Sequence, residues 1–367
     1  MNKVKMKVAM YYNNNDVRIE EMPIPEINEN ELLVKVRVCG ICGSDVMEWY
    51  RIKKAPIVLG HEISGDIVKV GKNVKKFKVG DRIFVSHHVP CNTCCFCKND
   101  QETLCHTLHS TNFYPGGFSE YLRVPKINIE NGVFILPKEV TYEEGAFIEP
   151  LACVVRGMKI AEIKPGNSVL VIGSGIAGIL NIKYAKTMGA RKIFATDVDE
   201  YRLKSAKKMG ADVVINAKKN IIEEVKKNND GKLADLVILC TGAPSAARQA
   251  LVSVESGGTI LFFAPTEPGI EIPFPLFDLW NKQVKMVSTY AGAPKDLEEA
   301  INLIKSKKVL VTDMITHILP LEEAQKGFKL AVQAQKSIKI VIKPDGWIHI
   351  WMINFLLFLL FNFYYRY

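Results

Sequence analysis

Val169-Leu170-Val171-Ile172-Gly173-Ser174-Gly175-Ile176-Ala177-Gly178 is the stretch whose reading decides the fold. Four apolar residues predict a buried strand, three glycines follow in G-x-G-x-x-G spacing, and Ile179 to Met188 continues with a helical pattern. In that setting the first two glycines permit a tight turn and let a pyrophosphate approach the helix N-terminus. The third lets helix and strand pack closely. Downstream, Lys192-Ile193-Phe194-Ala195, Val213-Val214-Ile215, Leu236-Val237-Ile238-Leu239 and Thr259-Ile260-Leu261-Phe262-Phe263 alternate with helix-like segments. This rhythm predicts an α/β doubly wound parallel sheet. Asp197 ends the second of these strands, nineteen residues beyond Gly178. A carboxylate there accepts hydrogen bonds from the adenosine ribose hydroxyls and repels a 2′-phosphate, which predicts NAD rather than NADP. Thr241-Gly242 and Phe263-Ala264 follow later strands, at the carboxyl edge where such ligands bind.

Upstream, from Val4 to about Gly145, the pattern changes to short strands broken by Gly and Pro, such as Leu32 to Val38, Ile63 to Val70 and Arg82 to Val85. An all-β or barrel-like region is expected there. After Ala291 two helical patterns, Lys295 to Ser306 and Leu321 to Gln333, lead to a last strand, Ile338 to Ile342, which could rejoin the first region. A chain of 367 residues is long enough for two cores with a cleft between them. Hydrophobic residues at 48% and charged residues at 24% exclude a disordered or collagen-like chain. The formal charge of +9 comes from lysines scattered in pairs such as Lys75-Lys76, so no nucleic-acid-binding stripe is formed.

Five of the nine cysteines fall between Cys91 and Cys105, which points to metal rather than to a disulfide framework. Met1-Asn2-Lys3-Val4 has no secretory signature, and a reducing cytoplasm is expected. Cys91, Cys94, Cys97 and Cys105 have the spacing C-x2-C-x2-C-x7-C, which lets one loop wrap four thiolates around a structural zinc. Cys95 breaks that spacing. A dispersed second set, Cys42, His61-Glu62 and Glu149, offers sulfur, imidazole and carboxylate, the donors of a catalytic zinc with one open position.

Gly40-Ile41-Cys42-Gly43-Ser44-Asp45, Gly60-His61-Glu62, the cysteine loop, Glu149-Pro150-Leu151 and the glycine turn stand in one order. In that order the chain, from about residue 5 to Pro344, resembles the zinc-dependent medium-chain alcohol dehydrogenases, in the sorbitol and threonine dehydrogenase-like branch. The resemblance implies a GroES-like catalytic domain, residues 1–148 completed by 291–344, interrupted by a Rossmann domain at 149–290. It implies a catalytic zinc at Cys42, His61 and Glu149, with Glu62 a direct or exchanging ligand and Cys153 competing with Glu149. Ser44 is implied as the hydroxyl that receives the alcohol's proton, and Asp45 as a residue orienting a ligand. Many relatives carry a histidine where this chain has Met47, and a thioether cannot shuttle a proton. Glu48, a cofactor ribose hydroxyl or water is left for that step. Arg202 resembles the family's basic contact to the adenosine ribose and would tolerate a phosphate.

The expected activity is hydride transfer between NAD and a secondary alcohol, either a vicinal diol or a hydroxy amino acid. A homo-oligomer, dimer or tetramer, is implied. The competing expectation is a non-catalytic zinc- and nucleotide-binding module. His87 and His88 read either as solvated loop residues or, for His88, as a likeness to threonine dehydrogenases. Beyond the family pattern, Trp347 to Phe363 is almost wholly apolar; as a helix it would span roughly 26 Å, short of the roughly 30 Å hydrocarbon core. That tail, 345–367, reads as out-of-frame translation or as a membrane tether.

Overall fold

Burial alternates along the first region's strands as the pattern demands. In Leu32–Gly40 the side chains of Leu32, Val34, Val36 and Val38 enter the core while Lys35 and Arg37 stay partly exposed. The computed structural model describes residues 4–334 and 336–344. The main sheet of the strand-rich part runs in the order Ile315–Pro320, Lys339–Lys343, Leu32–Gly40, Glu62–Val70, Arg82–Val85, Val133–Ile135, with Tyr121–Val124 also paired to Leu32–Gly40. The two strands nearest the C-terminus thus lie in the sheet begun by the N-terminal third. A small sheet of Asp16–Pro23, Lys5–Asn13 and Ile57–Val58 covers it.

The second sheet is wholly parallel. Its order is Val213–Asn216, Lys192–Asp197, Ser168–Ile172, Ala234–Leu239, Val254–Phe262, Lys285–Ser288. In chain order this is third, second, first, fourth, fifth, sixth, the doubly wound arrangement whose strand order reverses beside the first strand. Every residue of Ser168–Ile172 is buried because helices cover both faces. The last strand, Lys285–Ser288, had no sequence signal: its four residues are Lys-Met-Val-Ser, and it lies exposed at the sheet edge.

Between the two sheets runs the helix Ile148–Ile160, packed against the helix Pro294–Lys305. One buried cluster extends from Phe84 and Leu136 through Leu151 and Val155 to Val171 and Leu261, so apolar packing is continuous between the two sheets. Among the described residues no helix is long and apolar enough to cross a membrane. The apolar stretch 345–367 lies outside the described residues.

Candidate active site

Strand register assembles the site. Gly40 lies opposite Glu62 on one side and opposite Val341 on the other. The chain leaving one strand at Gly40 therefore meets the chain entering another at Glu62, which brings Cys42 beside His61. A Cβ at Gly40 would overlap the Glu62 carboxylate and stand 2.7 Å from the Lys339 ammonium, so glycine is required for this close approach. Gly60 takes φ +93°, and a Cβ there would lie 2.7 Å from the sulfur of Cys39.

Cys42 Sγ, a ring nitrogen of His61 and a carboxylate oxygen of Glu62 all lie within 4.8 Å of one another. Cys42 caps the short turn Gly43–Val46, where the Ser44 amide and hydroxyl each donate to its sulfur at 3.4 Å. Asp45, fully buried, accepts the Cys42 amide at 3.1 Å and places its other oxygen 3.4 Å from His61 Nδ1. Burial alone would lower the His61 pKa, but the charges of Asp45 and Cys42 outweigh it and hold the imidazole well above its ordinary value. The same carboxylate and thiolate charges suit a divalent cation. Sulfur, nitrogen and oxygen together suit zinc, and three donors leave a fourth position open.

Glu149 is not one of the three mutually close donors. It sits in the first turn of Ile148–Ile160 and accepts the Cys153 thiol at 3.5 Å. Burial raises its pKa; His61 opposes that and the Glu62 charge adds to it. Glu62 belongs to that close set, and it is simultaneously ion-paired to Lys339, with both side chains buried. Burial pushes the Cys153 thiol well up, and Glu149 adds to the effect.

Three residues of the site escaped the sequence reading. Lys339 interrupts the apolar run Ile338 to Ile342, which was its only signal. Tyr290 follows the unpredicted edge strand and stands with its ring 6.1 Å from His88 and 4.9 Å from His109. Arg51 donates to the Ser44 carbonyl at 2.9 Å and to the Ser44 hydroxyl at 3.0 Å. The reading of His87 and His88 as solvated needs correction. Their rings stack at 3.8 Å, His87 lies 4.7 Å from His61, and burial takes the His88 pKa down to about 3, with nearby cations adding to the fall.

The four loop cysteines form a second set within 4.8 Å. Their sulfurs are separated by 3.5 Å (Cys94 to Cys97), 3.6 Å (Cys105 to Cys91) and 4.0 Å (Cys91 to Cys97). Sulfurs placed tetrahedrally at zinc–thiolate distance have edges of about 3.8 Å, which these values bracket. Hydrogen bonds from the Thr93 hydroxyl and amide and from the Cys94 amide take the Cys91 thiol down to about 5, favouring the ligating thiolate. Cys95 is exposed and outside the set.

At the glycine turn, Gly173 takes φ +94° and lies against Thr241, while a Cβ on Gly178 would overlap the Gly173 carbonyl. Gly175 caps the helix Ile176–Thr187 without a side-chain bond. The nearest atoms to a Cβ there would be those of the Arg202 guanidinium, at 3.8 Å and beyond. Arg202 Nε is buried with no hydrogen-bond partner, and this donor beside the N-terminus of the helix Ile176–Thr187 fits an anionic pyrophosphate. Asp197 accepts the Ser174 and Asp199 amides at 2.8 and 3.0 Å and lies 3.9 Å from Arg202.

Residues 28–133 match the alcohol dehydrogenase GroES-like domain, and residues 177–306 match the zinc-binding dehydrogenase domain. The chain is 33% identical over 353 residues to the sorbitol dehydrogenase of Bacillus subtilis (strain 168), covering 93% of this chain and 98% of that protein. Among solved structures it is similar to 2R,3R-butanediol dehydrogenase from Bacillus subtilis, with TM-score 0.80 and 28% identity over 92% of this chain and 99% of that one. A zinc-binding dehydrogenase from Sinorhizobium meliloti 1021 bound to NADP gives TM-score 0.82 and 25% identity, over 93% and 100% of the two chains. With the thiolate and mixed-donor sets in the strand-rich part and the glycine turn at the parallel sheet, this chain belongs to the zinc-dependent medium-chain alcohol dehydrogenases, in their sorbitol dehydrogenase-like branch.

Proposed function

We propose that this protein oxidises a secondary hydroxyl of a polyol and passes the hydride to NAD. The observation that carries the proposal is the buried set of Cys42, His61 and Glu62 with the Ser44 hydroxyl beside it. Those three residues would hold one zinc, and the four loop cysteines a second. A zinc bound by the first set supplies the Lewis acidity that makes an alcohol's proton easy to lose. Ser44 receives that proton, and Asp45 fixes both the Cys42 backbone and the His61 ring. We take Glu62 rather than Glu149 as the third donor because it alone of the two belongs to the close set.

NAD is the proposed coenzyme because Asp197 offers a carboxylate where a 2′-phosphate would stand. Gly173, Gly175, Gly178, Arg202 and Thr241 form the rest of its site. We assign residues 1–148 with 291–344 to the metal-holding domain and 149–290 to the coenzyme domain, in a protein working in the reducing cytoplasm. The proposed assembly is a homo-oligomer built on the exposed edge strand Lys285–Ser288 and the neighbouring helix Leu276–Asn281, where Phe277 and Trp280 are 72% and 71% exposed. An edge strand is complementary to its own antiparallel copy, so a second chain is the natural occupant. A non-catalytic module gains no support, since the ligand set and the Ser44 hydroxyl are both in place.

The test is zinc analysis together with NAD and NADP reduction by sorbitol, xylitol, butane-2,3-diol and threonine. Two zincs per chain and a higher kcat/KM with NAD and a polyol are expected, with Ser44→Ala depressing turnover about 100-fold at full zinc content. Zinc confined to the four-cysteine loop would overturn the proposal.

A further inference from the structure

The turn that carries Ser44 ends in Met47, which also begins the short helix Glu48–Arg51. The Arg51 amide bonds back to the Met47 carbonyl at 3.1 Å, so the two residues stand one helical turn apart on the same face. From there the long Arg51 side chain reaches back to Ser44 and Asp45. Its Nε donates to the Ser44 carbonyl at 2.9 Å and its Nη2 to the Ser44 hydroxyl oxygen at 3.0 Å. Nη2 also lies 3.6 Å from Asp45, and the guanidinium carbon stands 4.7 Å above the Tyr50 ring. Only 15% of the side chain is exposed. Two hydrogen bonds, an ion pair and a ring therefore fix one cation against one hydroxyl, more than a solvated surface arginine would show.

We infer that Arg51 is the positioning residue for Ser44 in this chain, where Met47 brings no proton-handling side chain. The inference rests on the reading of Ser44 as the alcohol's proton acceptor.

A serine hydroxyl has two lone pairs and one hydrogen, while a guanidinium has only donors. Arg51 thus fills one lone pair of Ser44 Oγ permanently and can take no proton from it. One lone pair remains for the substrate's proton; Ser44's own proton, which rests against the Cys42 sulfur at 3.4 Å, turns from it to a water and leaves as that one arrives. One proton enters and one leaves, and no side chain at position 47 is needed. With one lone pair and the neighbouring carbonyl both held, the hydroxyl is set in orientation before substrate arrives. A histidine at position 47 would instead pass the proton on through its ring.

The experiment compares Arg51→Met, Arg51→Lys and Arg51→Met combined with Met47→His, each as zinc-loaded enzyme with NAD and sorbitol. Zinc content and NADH affinity, read by fluorescence titration, accompany kcat and KM. For Arg51→Met a fall in kcat of about 100-fold is expected at parental zinc content, NADH affinity and KM for NAD. Added guanidinium chloride at millimolar concentration should restore part of that kcat and leave the parent unchanged. Arg51→Lys should retain an intermediate kcat, because an ammonium replaces one of the two hydrogen bonds. The Met47→His combination should recover turnover with a new acidic limb near pH 6.5, the ordinary histidine value. Parental kcat in Arg51→Met overturns the inference, as does a loss that tracks zinc or NADH affinity and ignores guanidinium. A parent chain that holds two zincs yet reduces no NAD with any polyol removes the functional reading first, and this inference with it.

Discussion

Lys339 shows how much a single residue decides in this site. Its ammonium is fully buried, bonds the Ile41 carbonyl at 3.2 Å and pairs with Glu62. Removing one partner of a buried ion pair leaves an uncompensated charge, at a cost of about 3–5 kcal/mol. Lys339→Met should therefore destabilise the zinc-stripped chain by about that amount in urea unfolding, and the zinc-loaded chain by less, because a cation beside Glu62 offsets the loss. Equal destabilisation with and without zinc would refute the link between Glu62 and the metal. The residues legible in the sequence were those whose chemistry is written in spacing: the four loop cysteines, Gly40 through Asp45, His61-Glu62 and the three turn glycines. Lys339, Arg51 and Tyr290 were not legible. Lys339 and Tyr290 reach the site from far along the chain, Arg51 from the turn beside Ser44, and a lone lysine, arginine or tyrosine carries no local pattern. Glu149 was read as a ligand from its Glu-Pro-Leu setting, whereas the close approach at Gly40 places Glu62 with Cys42 and His61.

At the scale of elements, the parallel sheet was legible because buried parallel strands are continuous apolar runs, and five of its six strands announced themselves so. The sixth, Lys285–Ser288, is partly exposed and short, and forms by pairing with Val254–Phe262 rather than by its own preference. The cysteine loop is the opposite case. Around it the helical pieces Cys95–Lys98 and Glu102–Leu104 are too short to hold themselves, and the loop's order depends on four thiolates meeting. Cys97→Ser should release one zinc per chain and lower the melting temperature by several degrees, while the zinc at Cys42 stays bound. Metal analysis by mass spectrometry with a thermal scan checks both. Retention of two zincs would show that the loop does not depend on all four sulfurs.

For the whole molecule, the return of Ile315–Pro320 and Lys339–Lys343 into the first sheet ties the C-terminal part to the N-terminal third. This was only half legible: the helices and last strand were visible, but sheet partners lie hundreds of residues away. The exposed edge beside Phe277 and Trp280 belongs to this scale too. If the proposed homo-oligomer forms through this edge, Trp280→Asp with Met286→Asp should yield a monomer in light-scattering chromatography while leaving the far-ultraviolet circular dichroism unchanged. An unaltered mass would place the contact elsewhere.

The cysteine loop also touches the segment assigned to the coenzyme: Glu102 meets Arg156 at 3.7 Å, and His109 stacks on Tyr290. Peroxide attacking the partly exposed sulfurs of Cys91, Cys94 and Cys97 would therefore do more than unravel a remote knot. It would slacken the fastening between the two halves, so that damage at the periphery registers as a weakened hold on coenzyme, in a cell whose thiol pool is already under assault.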